Sequence, residues 1–335
     1  LRSLYLMCQE DFYHGLLAAP SETALVRQPV RTIPGDEQSS PQDGLALCLS
    51  GGGYRAMLFH LGAIWRLNDA GLLPRLDRVS SVSGGSITAA VLGLAWSKLA
   101  FDAAGVGRSF EAAVVTPVRQ LADRTLDVPC ILLGLLVPRL ISNRLAGAYR
   151  RHLLHAATLQ DLPDRPRLVI NATNLQSGVL WRFAKPYMGD YRVGRVKTPQ
   201  VSLATAVAAS AAFPPLLSPN IMKLKPADFM PNSGLDLQRE PYTSRVVLTD
   251  GGVYDNLGLE TAWKRYRTML VSDAGGSYSP RERPKTNWLS QAFRVLFTID
   301  NQVRSLRRRQ LIEALKATDD EHDGAYWGIG TEIRN

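Results

Sequence analysis

Two glycine-rich turns carry the residues best suited to chemistry, and each follows an apolar run with the length of a buried strand. The first reads Leu45-Ala46-Leu47-Cys48-Leu49-Ser50-Gly51-Gly52-Gly53-Tyr54-Arg55-Ala56, the second Val79-Ser80-Ser81-Val82-Ser83-Gly84-Gly85-Ser86. A strand, a glycine turn and a helix together aim bare N–H groups, or one exposed side chain, at a substrate. Ser83 stands where a nucleophile would, with Gly84 and Gly85 after it so that the helix starts without a Cβ clash. Gly51, Gly52 and Gly53 offer successive amides to a developing negative charge. A hydroxyl nucleophile beside an anion cradle suggests acyl transfer.

Duller uses compete with each motif. Ser81-Val82-Ser83-Gly84-Gly85 matches the nucleophile elbow G-x-S-x-G except that Ser81 replaces the first glycine. Ser80, Ser81, Ser83 or Ser86 could equally cap a helix. In the first turn Ala56 takes the last glycine position of a dinucleotide fingerprint, and no acidic strand end follows about twenty residues later. No Gly-Lys-Ser/Thr makes it a P-loop. An oxyanion hole at the start of a helix, with Arg55 fixing the loop or adding charge, also accounts for Ser83.

The hydroxyl needs a base. None of the five histidines (His14, His60, His152, His155, His322) lies in a strand-to-helix turn, and His60 reads as structural. Asp250, in Thr249-Asp250-Gly251-Gly252-Val253-Tyr254-Asp255-Asn256, sits at a strand end before glycines that permit close approach. Desolvation there would raise its pKa enough to accept a serine proton. An Asx-turn or helix cap is its ordinary use. Asp273, before Ala274-Gly275-Gly276, is the rival base, and Asp255 a weaker one.

The elements that position these groups follow from periodicity. Residues 1–43 read as a peripheral extension, with a helix over Ser3–Leu17 and a loop over Pro29–Asp43, before the main domain over 44–335. Helices are expected at Ala56–Leu67, Ile87–Leu99 and Ser202–Ala212, the last stopped by Phe213-Pro214-Pro215. Strands are expected at Arg78–Ser81, Arg167–Asn174, Val179–Phe183, Val246–Thr249 and Thr268–Ser272. Residues 101–160 read as a helical insertion or cap. Alternating strands and helices predict an α/β fold with a largely parallel sheet covered on both faces, whose sites collect at strand carboxyl ends.

Composition narrows the partners. The 335 residues are 45% hydrophobic and 21% charged, ample for a core, and the net charge is +9. That charge favours anionic surfaces, but no nucleic-acid-binding signature accompanies it. The run Arg304–Arg309 reads as a solvated helix face, with anionic lipid as the alternative. Cys8, Cys48 and Cys130 have no metal or disulfide spacing, which favours a reducing compartment and a cytoplasmic location. The proline-bounded run Val128–Pro138 is too short to span a bilayer and suits either burial or an acyl-chain- or membrane-facing role. The chain begins at Leu1 without methionine, so a fragment or processed form is expected, with a targeting segment outside it left open.

In their order, the two glycine turns and Asp250-Gly251-Gly252-Val253-Tyr254-Asp255-Asn256 resemble the patatin-like phospholipases, a design shared by the cytosolic phospholipase catalytic domain. Ala208-Ala209-Ser210-Ala211-Ala212-Phe213-Pro214-Pro215 also resembles the helix and proline turn that precede the aspartate there. The resemblance covers roughly residues 43–277. It implies a three-layer α/β/α fold and a Ser83–Asp250 dyad without histidine. It also implies an oxyanion hole from Gly51, Gly52, Gly53 and Arg55, with Gly85, Gly251, Gly252 and Asn256 supporting the motifs. No metal or cofactor is implied. The expected substrate is a fatty-acyl ester of a lipid, met at an anionic membrane surface. A soluble esterase, lipase or acyl-CoA thioesterase and a silent lipid-binding module are the alternatives.

Overall fold

Alternation along the first strand divides the molecule into layers. The computed structural model describes residues 41–124, 141–215, 217–276, 279–317 and 322–331, and its first strand, β1, spans Gln42–Leu49. Leu47 and Leu49 belong to one apolar core, Ala46 and Cys48 to another, as the two-residue period of a strand requires.

From β1 the chain enters α1 (Gly53–Asp69), returns in β2 (Leu76–Val82) and leaves through α2 (Gly84–Ala95). The expected helical stretch contributes α3 (Thr116–Ala122) and α4 (Ile141–Tyr149), with π-helical turns before α3 and after α4. The strands β3 (Arg167–Asn174), β4 (Val179–Phe183), β5 (Tyr187–Asp190) and β6 (Gly194–Lys197) follow. Next come α5 (Leu203–Ser210), β7 (Asn220–Lys223) and β8 (Arg245–Asp250). The short helices α6 (Gly252–Asp255) and α7 (Glu260–Trp263) lead to β9 (Tyr266–Asp273), the long helix α8 (Trp288–Lys316) and β10 (Asp323–Gly328).

One core lies under α1, α2 and α5, where Met57, Ile64, Ile87, Leu92 and Val207 are buried. The other lies under α7 and the end of α8, where Ala262 and Leu311 meet Met269 and Val271. Helices therefore cover both faces of the sheet. α2 is sandwiched between sheet and helices with all but one of its residues buried, which is why its sequence is apolar all round.

Ten strands form one sheet, and its run β10-β9-β1-β2-β3 is parallel throughout. The expected parallel sheet thus carries both glycine turns. Beyond β3 the pairing reverses: β4, β5 and β6 form an antiparallel wing, and β8 pairs antiparallel with β3 and β7. Short apolar runs read the same in either direction, so sequence periodicity does not register this reversal. Gln42 and Asp43, expected in a loop, begin β1 instead. The segment Ser3–Leu17 and the run Val128–Pro138 lie outside the described residues.

The register at β3 decides the site. β2 pairs with β3 up to Val82 opposite Asn171, and β8 takes over at Asp250 opposite Ala172. β4 occupies the other edge of β3 over Ile170–Asn174. Hence β2 and β8 share one edge of β3 and run toward each other, ending nose to nose. Ser83 follows the last residue of β2, and Asp250 is the last residue of β8.

α8 corrects the reading of the arginine run. Arg304 Nε lies 3.9 Å from Asp273 Oδ2, and Arg307 Nη1 lies 4.0 Å from Asp255 Oδ1 and 3.6 Å from Glu260 Oε2. These guanidiniums face the protein; only Arg309 of the four arginines is exposed. The helical period explains this, since residues 304, 307, 308 and 311 share the face that Leu311 buries. Arg307→Gln should therefore lower stability by about 1–2 kcal/mol by leaving buried Asp255 without its cation, less than a fully buried pair because Arg307 is partly solvated. Arg309→Gln should stay within about 0.5 kcal/mol of wild type. Urea titrations compare them, and equal losses would contradict the inward pairing.

Candidate active site

Ser83 adopts φ 52° and ψ −119° at the junction of β2 and α2, a region that non-glycine residues avoid at a cost of about 1–3 kcal/mol. The strain is held in place by hydroxyls. The Ser83 N–H donates to Ser210 Oγ at 2.9 Å, and Ser210 Oγ donates to the Asn171 carbonyl at 2.6 Å. Ser86 Oγ lies 2.9 Å from Ser210 Oγ and 3.1 Å from Ser81 Oγ. Ser81, where the elbow pattern has glycine, donates to the Val169 carbonyl at 3.3 Å. Its extra atom is thus absorbed into the network that fixes the turn.

Glycine is required where α2 meets the strands. A Cβ at Gly85 would stand 2.7 Å from both the Leu49 and Ser50 carbonyls, and one at Gly84 would collide with the Gly53 carbonyl. The same closeness brings the first turn to Ser83: a Cβ at Gly51 would lie 3.3 Å from Ser83 Cβ. Gly51 N–H donates to the Asn256 carbonyl at 3.0 Å, which ties this turn to the Asp250 segment. Gly52, at φ 143°, precedes α1, and no side chain caps that helix. Neither the Gly52 nor the Gly53 N–H donates a hydrogen bond among the described residues, and both glycines are exposed. Both amides stand at the positive end of a seventeen-residue helix, where the dipole favours negative charge. Arg55 donates to the Ala274 carbonyl at 3.1 Å, bracing the loop against the end of β9.

Asp250 is 2% exposed and Ser83 7%. The Asp250 backbone is held from both sides: its N–H donates to the Ala212 carbonyl at 2.9 Å, and Thr173 Oγ1 donates to its carbonyl at 2.8 Å. Gly251 N–H donates to the Ser210 carbonyl at 3.2 Å. Gly252 N–H donates to Asp250 Oδ1 at 2.7 Å, fixing the carboxylate plane. Oδ2 is buried and has no hydrogen-bond partner. Burial pushes the carboxyl up to about 7, against the Gly252 N–H and the Ser83 hydroxyl, which both favour the charged form; Asp300 on α8 adds to the rise. The Ser83 hydroxyl is close enough to act on this carboxyl electrostatically but closes no bond of ordinary geometry to Oδ2, a looseness common before substrate binds.

The rival groups are occupied. Asp273 accepts from Gly275 N–H and the Tyr326 hydroxyl, each at 2.8 Å. Asp255 accepts from Leu257 and Glu260 N–H at 3.3 and 2.7 Å, capping α7. His60 contacts the Ser50 carbonyl and Ser272 Oγ, each at 2.9 Å, and burial lowers its pKa to about 4. It is a neutral tie between the ends of β1 and β9.

Sequence reasoning missed several contributors. Ser210 lay inside a quoted motif but had no assigned role, and Asn171, whose Nδ2 donates to Ser80 Oγ and the Ser81 carbonyl at 2.9 and 3.0 Å, looked like an ordinary strand residue. Nothing local to α8 announced that Asp300 would act on Asp250, or that Phe297 would stack on Phe213 at 5.9 Å.

A family model described as patatin-like phospholipase matches residues 47–263. No curated protein matches the chain in sequence. Among solved structures, human GIVD cytosolic phospholipase A2 is similar at 15% identity and TM-score 0.47, over 75% of this chain and 47% of that one. VipD from Legionella pneumophila is similar at 20% identity and TM-score 0.34, over 72% of this chain and 52% of that one. The chain thus spans about half the length of these structures.

The buried carboxyl yields a stability prediction. Folded Asp250 holds its proton to about pH 7, whereas an unfolded aspartate releases it near pH 4. Its contribution to stability is therefore fully present below about pH 4 and is lost as pH rises through about 7. Asp250→Asn escapes that loss, so its melting temperature should exceed wild type near pH 8 and the gap should close near pH 4. About three pKa units at ~1.4 kcal/mol each bound the effect at roughly 4 kcal/mol. A gap independent of pH would show that the carboxyl is not desolvated.

Proposed function

Because the chain belongs to the patatin-like phospholipase family, a family of hydrolases acting on lipid esters, we propose that it cleaves a fatty-acyl ester of a phospholipid through Ser83 and Asp250. The observation that carries this reading is the pairing of a strained, network-held serine with a buried carboxylate. That carboxylate keeps one oxygen unpartnered and a pKa near neutrality.

Ser83 Oγ attacks the ester carbonyl carbon as its proton passes to Asp250 Oδ2. A carboxyl with a pKa near 7 is well matched to that transfer, since a base with its pKa close to the working pH is deprotonated often enough to act and basic enough to take the proton. The carbonyl oxygen becomes an oxyanion between the free amides of Gly52 and Gly53, with the α1 dipole behind them. Collapse expels the alcohol portion, which takes the proton from Asp250. The carboxylate then takes a proton from water as its oxygen attacks the acyl carbon; collapse breaks the bond to Ser83 Oγ, which recovers the proton from Asp250 as the fatty acid leaves. No histidine is needed, because burial supplies the basicity that a solvated aspartate lacks.

The substrate is met at a membrane surface, where the net charge of +9 favours anionic lipid. Among the described residues no helix is long and apolar enough to cross a membrane.

Activity on phospholipid vesicles and on a short soluble ester tests the proposal. Ser83→Ala and Asp250→Asn should each lower turnover by about 10³-fold or more on both substrates, and the double variant should lose little further. Asp273→Asn should be mild. A lethal Asp273→Asn beside a mild Asp250→Asn would reverse the base assignment. Turnover of the soluble ester alone would favour an esterase or thioesterase, and lipid binding without turnover of any ester a silent lipid-binding module.

A further inference from the structure

The geometry points to the outer face of α8 as the surface that seats this protein on an anionic phospholipid bilayer, an inference that rests on the lipid-hydrolase reading above. The helix has two unlike faces. One is anchored: Arg304 and Arg307 reach Asp273, Asp255 and Glu260, and Leu311 is fully buried. On the opposite face stand Trp288, Val295, Ile299 and Leu306, exposed by 80%, 56%, 55% and 59%. Their spacing of seven, four and seven residues aligns them in a single stripe along the helix. A helix lying on a protein core turns polar residues outward; this one turns a hydrophobic line toward solvent over about 27 Å, at 1.5 Å per residue.

Charge identifies the occupant. The segment entering α8 carries Arg281, Arg283 and Lys285 against a single acid, Glu282, all exposed. Cations beside an exposed tryptophan, at the head of an apolar stripe, match the layering of a membrane surface: headgroup phosphates outside, acyl chains within. Anionic headgroups would neutralise these cations. Pairing the stripe with a second copy of the chain would set this net-positive segment against surface that supplies only Glu282 from the same stretch. The anchored side of the same helix reaches toward the site, where Phe297 stacks on Phe213, one residue after the Ala212 carbonyl that holds the Asp250 N–H.

The full chain is tested by sedimentation with vesicles of phosphatidylcholine containing about a third phosphatidylserine. One variant combines Trp288→Ala, Val295→Ser, Ile299→Ser and Leu306→Ser; a second combines Arg281→Gln, Arg283→Gln and Lys285→Gln. The apolar variant should lose at least about tenfold in vesicle partition. The basic variant should lose on the order of a hundredfold at low salt, and the difference should shrink as salt rises or phosphatidylserine is omitted. Turnover of a short soluble ester should stay within about twofold of wild type in both, which also reports that they fold. Vesicle partition unchanged in both variants would overturn the inference. So would an apolar variant that turns a wild-type dimer into a monomer by sedimentation velocity while keeping its vesicle partition, since the face would then join two copies. Stripe-dependent partition by a chain that hydrolyses no ester would uphold the docking surface and remove the hydrolase reading instead.

Discussion

Two strands meeting nose to nose on one edge of β3 is the constraint on which the site depends. β2 arrives parallel and stops at Val82; β8 arrives antiparallel and stops at Asp250. An edge can hold only one partner at each residue, so the two strands must end where they meet, and their terminal side chains are delivered to one place. Ser83 and Asp250 are separated by 167 positions in the chain, yet neither depends on a flexible loop for its placement. The antiparallel entry of β8 is therefore a requirement of the site: a parallel strand would carry its carboxyl end away from the serine.

The junction stores strain and burial costs that the surrounding layers must offset. Ser83 holds a positive φ, and Asp250 gives up solvent around a carboxylate, so each opposes folding by a few kcal/mol. What holds them is local and polar. Ser210, at the end of α5, accepts from Ser83, donates to Asn171 and offers its carbonyl to Gly251, so one residue fixes both sides of the junction. The apolar cores on either side of the sheet provide the rigidity.

The sequence made the strand ends more legible than the direction of the strands. Glycine turns after apolar runs mark strand ends because backbones approach there too closely for a Cβ, and Gly84 and Gly85 abut the Gly53, Leu49 and Ser50 carbonyls. The parallel half of the sheet was legible for the same reason, through strand–turn–helix units with helical periodicity after each turn. Direction was not: the apolar run of β8 has no feature that distinguishes parallel from antiparallel pairing. Nor was the role of Ser210, since a serine among alanines in a helix reads as tolerated rather than required. The arginines of α8 show how composition misleads, because charge in a sequence signals solvent until acidic partners such as Asp255, Glu260 and Asp273 are seen to lie beneath it.

The account rests on a claim about one proton: burial makes Asp250 basic enough to take it from Ser83 without a histidine. The rate at which a fluorophosphonate modifies the enzyme, followed from about pH 5 to about pH 9 with the adduct located by peptide mass, tests that claim most directly. The adduct should sit on Ser83, its rate should rise with pH about a midpoint near 7, and Asp250→Asn should abolish that rise. An adduct on Ser81 or Ser86, or a Ser83 rate that stays flat through neutral pH, would contradict it.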